Sequence, residues 1–390
     1  MVKSVKIVIG ANYGDEGKGL ASRYFSLKAD KENKRCLTIL FNGGSQRGHT
    51  ADLKNGLRHV FHHFGSGSFD NSDTFFDSDF IVNPMIFAEE IEELGDKVPR
   101  CFISEQCRVT LPYDMMINQI IEISRGTQRH GSCGYGIWET QKRYEESTLS
   151  LRYGMLSQLT DHDLMSYLIK VSEEYLPVRL RYYGITEIPS DYKDLVCSEG
   201  IMQHFIDDFR KMSELTQTAD LIQLSEKYDY FVFEGGQGLA LDENAVDEYP
   251  NVTASSTGAF TPVIRSLEFL NTFDIEVCYV SRSYFTRHGA GKLPFECPKE
   301  SISPHIIDKT NVYNEFQGNI RYADFDVQTL LRRTITDHEK CRKECNNIKK
   351  SLFLTHLNYV ETPVAEFCDH FDTVYLSYSK FAEDVQLLIN

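Results

Sequence analysis

The sequence predicts an α/β protein with a large, mostly parallel central sheet, flanking helices and a helical insertion. Three features lead to this prediction. Short apolar runs alternate with amphipathic stretches along most of the 390 residues, and such alternation is typical of parallel strands joined by helices. The first apolar run ends in a glycine-rich loop that continues into a helix, as in P-loop proteins. The stretch 160–229 shows helical periodicity and few strand signals.

The predicted strands are short runs rich in β-branched and aromatic residues, most of them bounded by Gly, Asn or Asp. This composition is typical of strands, because branched and aromatic side chains pack well on a pleated surface. The predicted strands are 5–9, 37–41, 59–64, 80–82, 231–233, 276–280, 352–354 and 374–376.

The predicted helices carry apolar residues at helical spacing. One begins at Asp114, whose side chain can cap it, and ends at Gly126, the residue type that most often follows a helix. Two long helices are predicted at 161–183 and 199–228. These two form a predicted helical subregion.

The C-terminal segment predicts a last helix, since Phe381, Val385 and Leu388 are spaced i, i+4 and i+7. No internal repeat, low-complexity tract or linker interrupts the chain. We therefore expect a single large domain over residues 1–390 that includes the helical subregion at about 160–229.

The charge balance excludes two classes of function. The chain has 41 basic and 57 acidic residues, a formal net charge of −16, whereas surfaces that coat nucleic acids or anionic membranes need an excess of Lys and Arg. Its apolar stretches fall short of the ~18 residues of a membrane span. The ten cysteines include no CxxC pair, and the N-terminal strand carries no signal-peptide cleavage site. These features predict a cytoplasmic protein with no membrane or direct nucleic-acid partner.

The glycine-rich loop in KIVIGANYGDEGKG, residues 6–19, is the strongest local signal. Its glycines let backbone N–H groups approach an anion, and the helix that follows adds a favourable dipole. Lys18 can reach the terminal phosphates of a nucleotide. The alternative is a tight strand-to-helix turn that binds no ligand.

The loop differs from the standard P-loop at two positions. Asn12 stands where the motif GxxxxGK has its first glycine, and Gly19 replaces the Ser or Thr that holds magnesium. A metal ion therefore needs another ligand, and Asp15 inside the loop is the candidate. A plain P-loop NTPase is disfavoured for the same reason.

Two further glycine-rich segments follow predicted strands. LFNGGSQRGHT, residues 40–50, contains His49, which can act as an acid or an electrostatic partner near neutral pH, although a histidine beside glycines is often structural. FVFEGGQGLALD, residues 231–242, contains Gln237, whose amide can read a purine edge. In the next segment, EYPNVTASSTGA, Thr253 can hold a phosphate.

Taken together and in this order, the segments resemble the adenylosuccinate synthetase family. The family motifs WGDEGKG, GGxxxGHT, EGxQG with YPxVTSSxT, and TRxGxGxxPxE appear here as YGDEGKG, GGSQRGHT, EGGQG with YPNVTASSTGA, and TRHGAGKLPFE. Weaker matches, NEFQG at 314–318 and LTHLN at 354–358, extend the resemblance towards the C-terminus.

The resemblance implies a two-step ligase. A nucleoside triphosphate phosphorylates the 6-oxygen of a purine nucleoside monophosphate such as IMP, and the amino group of L-aspartate then displaces that phosphate. Asp15 matches the base that removes the N1 proton, and Lys18 and His49 match residues that neutralise charge on the phosphoryl group. Asp15 and the Gly48 carbonyl match the ligands of Mg²⁺. The family's dimeric sites imply a homodimer.

The resemblance also assigns binding residues. Those implied for the nucleoside triphosphate are Gly14, Glu16, Gly17, Gly19, Leu20, Thr50, His356, Asn358, Ser377 and Ser379. Those implied for the purine monophosphate are Asp15, Gln46, Arg47, Thr127, Gln237 and Thr253. Those implied for L-aspartate are Arg321 and Asn319.

The sequence departs from the family pattern where the donor base is read. The family's TKLD appears here as THLN, with His356 in the second position and Asn358 in the last. An Asp accepts two hydrogen bonds from guanine, whereas an uncharged Asn does this poorly. ATP is therefore a candidate donor beside GTP.

A second departure concerns L-aspartate. The family's arginine-rich loop is shortened to GNIRYADFD, which keeps only Arg321 for a carboxylate. Arg282, Arg287 or Arg47 could contribute to binding the two carboxylates of the substrate.

A third departure lies beside the purine, where Gln46 and Arg47 stand in place of the family's Asn-Ala. The changes resemble those of phage-type relatives that convert dGMP to 2-aminoadenylosuccinate. Those relatives often replace the loop Asp with Ser, so the presence of Asp15 favours IMP. The alternatives are dGMP with ATP as donor, and a non-catalytic nucleotide-binding protein.

Overall fold

A ten-stranded sheet forms the centre of the computed structural model, which describes residues 2–269, 273–308, 310–311 and 313–389. Three two-stranded sheets accompany it. The strands, in chain order, are β1 Lys3–Gly10, β2 Cys36–Leu40, β3 His49–Asp52, β4 Arg58–Phe61, β5 Ser72–Phe76, β6 Ile81–Val82, β7 Cys101–Ile103, β8 Arg108–Val109, β9 Thr216–Thr218, β10 Tyr230–Gly238, β11 Phe273–Arg282, β12 Phe285–Arg287, β13 Arg321–Ala323, β14 Lys349–Thr355, β15 Thr373–Leu376 and β16 Gln386–Ile389.

The strand order of the central sheet is β16-β15-β14-β11-β1-β10-β2-β5-β7-β9. Every neighbouring pair is parallel except β15 and β16, which are antiparallel. The predicted α/β fold with a large, mostly parallel sheet is therefore confirmed. Parallel strands bring their carboxyl ends to one edge, so the loops after β1, β2, β10, β11 and β14 meet there. We call this the carboxyl edge.

Helices connect the strands and pack on the sheet. The helices, in chain order, are α1 Lys18–Lys31, α2 Pro84–Leu94, α3 Pro112–Arg125, α4 Ile137–Glu146, α5 Tyr153–Leu156, α6 Asp161–Lys170, α7 Leu176–Tyr182, α8 Ser190–Val196, α9 Glu199–Leu215, α10 Leu221–Ser225, α11 Phe260–Phe269, α12 Lys299–Ile302, α13 Val327–Arg342 and α14 Ala365–Cys368. A π-helical turn, Val171–Tyr175, joins α6 to α7.

Strand β1 is buried on both of its faces. Val5, Ile7 and Ile9 pack with residues of α11 and α13 on one face, while Val8 packs with Ala21 of α1 on the other. An unbroken apolar run is what a parallel strand covered by helices on both faces requires.

Helix α3 begins slightly before the predicted cap. Its first residue is Pro112, a position where the missing N–H loses no helical hydrogen bond. The carboxylate of Asp114 accepts a hydrogen bond from the backbone N–H of Leu111 at 2.9 Å. Gly126 ends the helix as predicted, with a φ angle of 54°.

The predicted C-terminal helix is wrong. Residues Ala382–Asp384 form one 3-10 turn, and the chain then pairs with β15 as strand β16. Leu387 and Leu388 are 46% and 39% exposed, so no single helical face is buried. Three apolar residues at helical spacing satisfied the pattern, but the open edge of β15 provided backbone partners that decided the structure.

The predicted helix at 199–228 is also wrong in its second half. Helix α9 ends at Leu215, and the next residues form β9, which pairs with β7 at the edge of the sheet. Asp220 then caps the short helix α10 by accepting a hydrogen bond from the N–H of Gln223 at 2.8 Å. The two threonines of β9 favour a strand locally, and the unpaired edge of β7 makes that strand possible.

Two predicted strands lie outside the central sheet. The strand predicted at 59–64 is β4, which forms an antiparallel hairpin with β3. The strand predicted at 80–82 is reduced to β6, which pairs with β8. The central sheet contains β5 and β7 instead. Sequence analysis missed both, because β5 begins with the polar residues Ser-Asp-Thr and β7 has only three residues.

Candidate active site

The glycine-rich loop lies at the carboxyl edge, where β1 is flanked by β10 and β11. The backbones approach so closely that a Cβ on Gly238 would lie 2.4 Å from the carbonyl oxygen of Asn12. Gly14 and Gly17 have φ angles of 115° and 95°, which L side chains rarely adopt. Gly17 directly precedes α1, so the positive end of that helix opens onto the loop. The arrangement suits an anionic ligand.

The side chains of Glu16 and Lys18 form hydrogen bonds with the backbone of the loop. Oε1 of Glu16 accepts hydrogen bonds from the backbone N–H groups of Asn12 at 2.9 Å and Gly14 at 2.8 Å. Nζ of Lys18 donates to the carbonyl oxygen of Gly14 and lies 3.6 Å from Oε2 of Glu16. Lys18 is only 1% exposed, so its positive charge is held beside the loop.

The first turn of α1 contacts the second glycine-rich segment. A Cβ on Gly19 would lie 2.9 Å from the carbonyl oxygen of Thr50 in β3. Leu20 follows in α1 and is half-buried, while Gly48 is exposed just before β3. The structure thereby brings the two segments together.

The side chain of Asp15 is paired with His288. Oδ2 of Asp15 lies 2.8 Å from Nε2 of His288, which is also 3.0 Å from Oδ1 of Asn311. The guanidinium of Arg282 donates to the carbonyl oxygen of Asp15. Burial by itself raises the pKa of the Asp15 carboxyl, but the hydrogen bond from His288 and the charges of Arg282 and Lys18 hold that pKa well below its ordinary value. Asp15 is therefore ionised at neutral pH.

His49 belongs to a buried network around Glu234 of β10. Oε1 of Glu234 lies 2.5 Å from Nδ1 of His49 and 2.9 Å from Nη2 of Arg47. Burial raises the pKa of Glu234, but Arg47 and His49 bring it down to about 2. Burial and the charge of Arg47 lower the pKa of His49 to about 3, against the opposing effect of Glu234. At neutral pH Glu234 is charged and His49 is neutral.

The structure brings part of the implied purine site to the loop. Oε1 of Gln237 would lie 3.1 Å from a Cβ on Gly14, so this amide borders the loop. Both amide atoms of Gln46 are buried, and neither has a hydrogen-bond partner among the described residues. Thr253 is half-buried in the loop that follows β10. Burying an amide without hydrogen-bond partners costs free energy. An unpaired buried amide is therefore what a ligand-binding site would contain.

Thr127 lies exposed in the turn Gly126–Gln128 after α3. The chain then contacts the turn that carries His288: the N–H of Ala290 donates to the carbonyl oxygen of His130 at 3.1 Å. A Cβ on Gly131 would lie 2.5 Å from the Cα of Gly289. The segment after Thr127 therefore forms part of the wall next to His288.

Arg321, implied for L-aspartate, is engaged with protein atoms. Its Nε and Nη2 pair with the carboxylate of Glu296 at 2.9 and 2.5 Å. Its Nη1 donates to the carbonyl oxygens of Gly289 and Gly291 at 3.1 and 2.9 Å. These contacts use four of the five N–H groups of a guanidinium. Asn319, the other implied residue, is exposed.

Arg282 and Arg287 are paired as well. Arg282 lies 3.4 Å from the carboxylate of Asp308, and Arg287 lies 2.6 Å from that of Glu248. Both are buried. Their charges are already balanced by neighbouring carboxylates.

Arg333 of α13 has a different environment. Its Nη1 donates to Oδ1 of Asn12 at 2.8 Å, and its Nη2 donates to the hydroxyl of Tyr13 at 3.1 Å. The guanidinium lies 4.8 Å from the centre of the Tyr13 ring. Among the described residues, Arg333 has no carboxylate partner. It is a half-buried cation beside the glycine-rich loop with only neutral contacts.

The carboxyl end of β14 is tied to the loop. Oγ1 of Thr355 donates to the carbonyl oxygen of Glu16 at 2.8 Å. Burial and the charge of Arg282 lower the pKa of His356 to about 3. A cavity of about 460 Å³ lies next to this end of β14. It is lined by Leu357, Asn358, Tyr359, Val360, Glu361, Thr362, Val364 and Tyr378.

The two serines after β15 are bonded within the protein. Oγ of Ser377 donates to the carbonyl oxygen of Ser379 at 2.5 Å. Oγ of Ser379 donates to the carboxylate of Asp384 at 2.9 Å. Asn358, by contrast, is exposed at the cavity.

Sequence analysis did not single out Glu234, His288 or Arg333. Glu234 and His288 lie within EGGQG and TRHGAGK, so a charged or titratable residue inside a glycine-rich motif was an available signal. Arg333 lies in a helix outside every motif, and only its position beside Tyr13 reveals it.

The described part of the chain contains no helix long and apolar enough to cross a membrane. Within the same ranges, no group of three or more His, Cys, Asp or Glu side chains is arranged to hold a metal ion.

Comparison with known sequences assigns the chain to one family. The family profile for adenylosuccinate synthetase matches residues 7–335. The adenylosuccinate synthetase of Nostoc punctiforme is 30% identical over 382 residues, which cover 94% of this chain and 79% of that protein. That of Hamiltonella defensa is 30% identical over 339 residues, which cover 84% and 72% of the two chains.

Two solved structures share the fold. The fully ligated adenylosuccinate synthetase of Plasmodium falciparum aligns with a TM-score of 0.67 at 21% identity, covering 99% of this chain and 87% of that one. The succinoaminodeoxyadenylate synthetase of cyanophage S-2L, bound to dGMP and to dATP as an energy donor, aligns with a TM-score of 0.64 at 14% identity, covering 99% and 95%. From the sequence matches, the chain belongs to the adenylosuccinate synthetase family and is a ligase that forms a carbon–nitrogen bond.

Proposed function

We propose that the protein joins L-aspartate to the 6-position of IMP through a 6-phosphoryl intermediate, driven by GTP or ATP. The observation that carries this proposal is the Asp15 carboxylate, which lies inside the anion-binding loop and is held ionised beside His288. A charged carboxylate at this place can remove the N1 proton of a purine while the loop holds the triphosphate.

In the first step, Asp15 takes the N1 proton, which makes the 6-oxygen nucleophilic. This oxygen forms a bond to the γ-phosphorus, and the bond from that phosphorus to the leaving nucleoside diphosphate breaks. The low pKa of Asp15 makes it a weak base in the free protein. Bound phosphates add negative charge nearby and so raise this pKa towards that of the proton donor.

The charge on the moving phosphoryl group is met by Lys18 and His49. Lys18 is fixed at the loop by its contacts with Gly14 and Glu16. His49 is neutral in the free protein, and negative phosphates near its Nε2 would favour the imidazolium form. In the second step, the amino group of L-aspartate bonds to C6 and loses one proton, while the bond from C6 to the phosphorylated oxygen breaks and phosphate leaves.

Mg²⁺ fits the residues present. Oδ1 of Asp15 has no hydrogen-bond partner among the described residues, since His288 contacts Oδ2. Gly48 is exposed and offers its backbone carbonyl. Mg²⁺ is commonly held by one or two protein oxygens together with waters and substrate phosphates. When bound, the ion would neutralise part of the charge on the transferring phosphoryl group.

Arg333 is proposed as a partner for a carboxylate of L-aspartate. The other arginines considered for L-aspartate already pair with carboxylates, whereas the contacts of Arg333 with described residues are all neutral. A ligand carboxylate can therefore bind it without displacing an existing ion pair.

A second acceptor, dGMP with ATP as donor, is the alternative. It is supported by Asn358, which lacks the charge that guanine recognition favours, and by the dGMP and dATP bound in the cyanophage relative. The presence of Asp15 favours IMP instead. Homodimer formation, a cytoplasmic location and the single-domain organisation stay predictions.

The test is a grid of acceptors and donors. Purified protein, Mg²⁺ and L-aspartate are incubated with IMP or dGMP, each crossed with GTP or ATP, and the products are resolved by HPLC. We expect a succinyl product from IMP. A product from dGMP alone would favour the alternative. Asp15→Asn serves as the control, and it should retain nucleotide binding by calorimetry while losing product in every well. No product from the wild type with any pair would leave a nucleotide-binding protein that does not catalyse ligation.

A further inference from the structure

Glu234 is a fully buried carboxylate at the carboxyl edge that the proposed reaction does not use directly. We propose that Glu234 is a positioning residue, which holds the imidazole of His49 through Nδ1 and leaves Nε2 to face the phosphoryl group. This inference rests on the proposed function for the role of His49, and on the contacts of the structure for the role of Glu234.

The contacts of Glu234 converge on His49 and its neighbours. Oε1 accepts from Nδ1 of His49 at 2.5 Å, from Nη2 of Arg47 at 2.9 Å and from the hydroxyl of Ser66. Oε2 accepts from the backbone N–H of Ser66 at 2.9 Å. An ionised carboxylate can only accept hydrogen bonds, so the nitrogen of His49 that faces it carries a proton. Glu234 thereby selects the Nδ1–H tautomer and fixes the direction of Nε2.

Arg47 explains how this carboxylate stays charged in the core. The side chains of Arg47 and Glu234 are both 0% exposed, and an unpaired buried carboxylate would become protonated instead. Arg47 stands where the family motif has Ala. We therefore assign Arg47 a role in supporting Glu234, in addition to its implied place at the purine.

A merely structural role for Glu234 is the competing explanation, and the chain offers a matched control. Glu276 in β11, which is separated from β10 by β1, is also a buried carboxylate, 5% exposed. It pairs with Lys6 at 2.7 Å and accepts from the hydroxyls of Ser351 and Tyr375 at 2.6 and 2.8 Å. None of these partners belongs to the candidate site. Glu276→Gln therefore removes a comparable buried charge without touching His49.

The first measurement is ¹⁵N NMR of histidine-labelled protein, with His49→Asn used to assign the His49 signals. We expect the Nδ1–H tautomer in the wild type and in Glu276→Gln, and loss of that preference in Glu234→Gln. An Nε2–H tautomer in the wild type would overturn the proposal, even if Glu234→Gln does not fold. This measurement requires no turnover, so its result is separate from the outcome for the proposed function.

The second measurement is a double-mutant cycle on the reaction. Glu234→Gln should lower kcat by at least about 10-fold. The upper limit is the ~10⁴-fold loss known for replacing the carboxylate that orients a catalytic histidine. The KM values should stay within about twofold, because ground-state binding is not removed. In a His49→Asn background, Glu234→Gln should cause no further loss. Additive losses, or an equal loss of kcat in Glu276→Gln, would show that Glu234 does not act through His49.

Discussion

The arginines around the glycine-rich loop differ in the charge of their partners. Arg321 uses four N–H groups on Glu296 and two carbonyl oxygens, whereas the partners of Arg333 among the described residues are Asn12 and Tyr13. A guanidinium that exchanges a protein carboxylate for a ligand carboxylate gains little binding free energy. A guanidinium with neutral partners gains charge-assisted hydrogen bonds when a ligand carboxylate binds. Residue type alone points to Arg321, while the partners point to Arg333.

Arg333→Met is therefore expected to raise the KM for L-aspartate by about 10- to 100-fold, because a hydrogen bond to a charged group contributes about 1.5–3 kcal/mol. The KM for the purine monophosphate should change little. Steady-state kinetics with each substrate varied in turn measure both values. Arg332→Met is the matched control, since Arg332 is the exposed neighbour on α13. An unchanged KM for L-aspartate in Arg333→Met would remove Arg333 from the binding site.

At the scale of elements, we propose that the ends of β14 and β15 decide which donor base fits. Thr355 at the end of β14 donates a hydrogen bond to the carbonyl oxygen of Glu16, so the cavity that begins at Leu357 lies close to the glycine-rich loop. Asn358 and Tyr378 line this cavity. An amide there can serve adenine or guanine, whereas a carboxylate accepts both the N1–H and the 2-amino group of guanine.

The double substitution Asn358→Asp with His356→Lys should shift donor preference towards GTP. The new carboxylate would accept hydrogen bonds from two guanine donors. We therefore expect the ratio of kcat/KM for GTP to that for ATP to rise by about 10-fold or more, the equivalent of roughly 1–3 kcal/mol. Initial rates with each donor at fixed acceptor and L-aspartate give this ratio. Asn358→Ser controls for loss of the amide without added charge. A ratio that matches the wild type would mean that the base is read elsewhere.

At the scale of the whole molecule, buried histidines link stability to pH. His49, His63 and His338 are 5%, 0% and 7% exposed. Burial lowers the pKa of His49 to about 3 and of His338 to about 4, and lowers that of His63 well below its ordinary value. As pH falls below about 6.5, the unfolded chain binds protons at these residues before the folded protein does. The free energy of unfolding therefore decreases. Asp70 acts in the opposite direction, because burial raises its pKa to about 6.

We expect the free energy of unfolding to fall between about pH 6 and pH 5, with each buried histidine contributing up to about 1.4 kcal/mol per pH unit. Urea unfolding at a series of pH values measures the slope. In His338→Gln the slope should become shallower by about the contribution of one histidine, up to about 1.4 kcal/mol per pH unit. An identical slope in that variant would mean that His338 is protonated equally in the folded and unfolded states.

Much of the fold could be predicted because central parallel strands are buried on both faces. The runs around Val5, Phe231 and Val277 are apolar whatever their neighbours are, so they are visible in the sequence. Strands β9 and β16 could not be predicted in this way. Each forms because an edge strand, β7 or β15, offers unpaired backbone groups, and that edge exists only after the sheet has assembled.

The candidate site likewise has features that the sequence predicts and features that depend on the tertiary structure. The sequence by itself determined the glycine-rich loop and the presence of Asp15, Lys18 and His49, because a loop that approaches phosphates restricts residue types within a few positions of the chain. Only the tertiary structure decided their partners, which lie far away along the chain: His288 for Asp15 and Glu234 for His49. Charge state and direction depend on those partners. The chemical groups are thus local properties of the sequence, while their protonation and orientation are properties of the folded molecule.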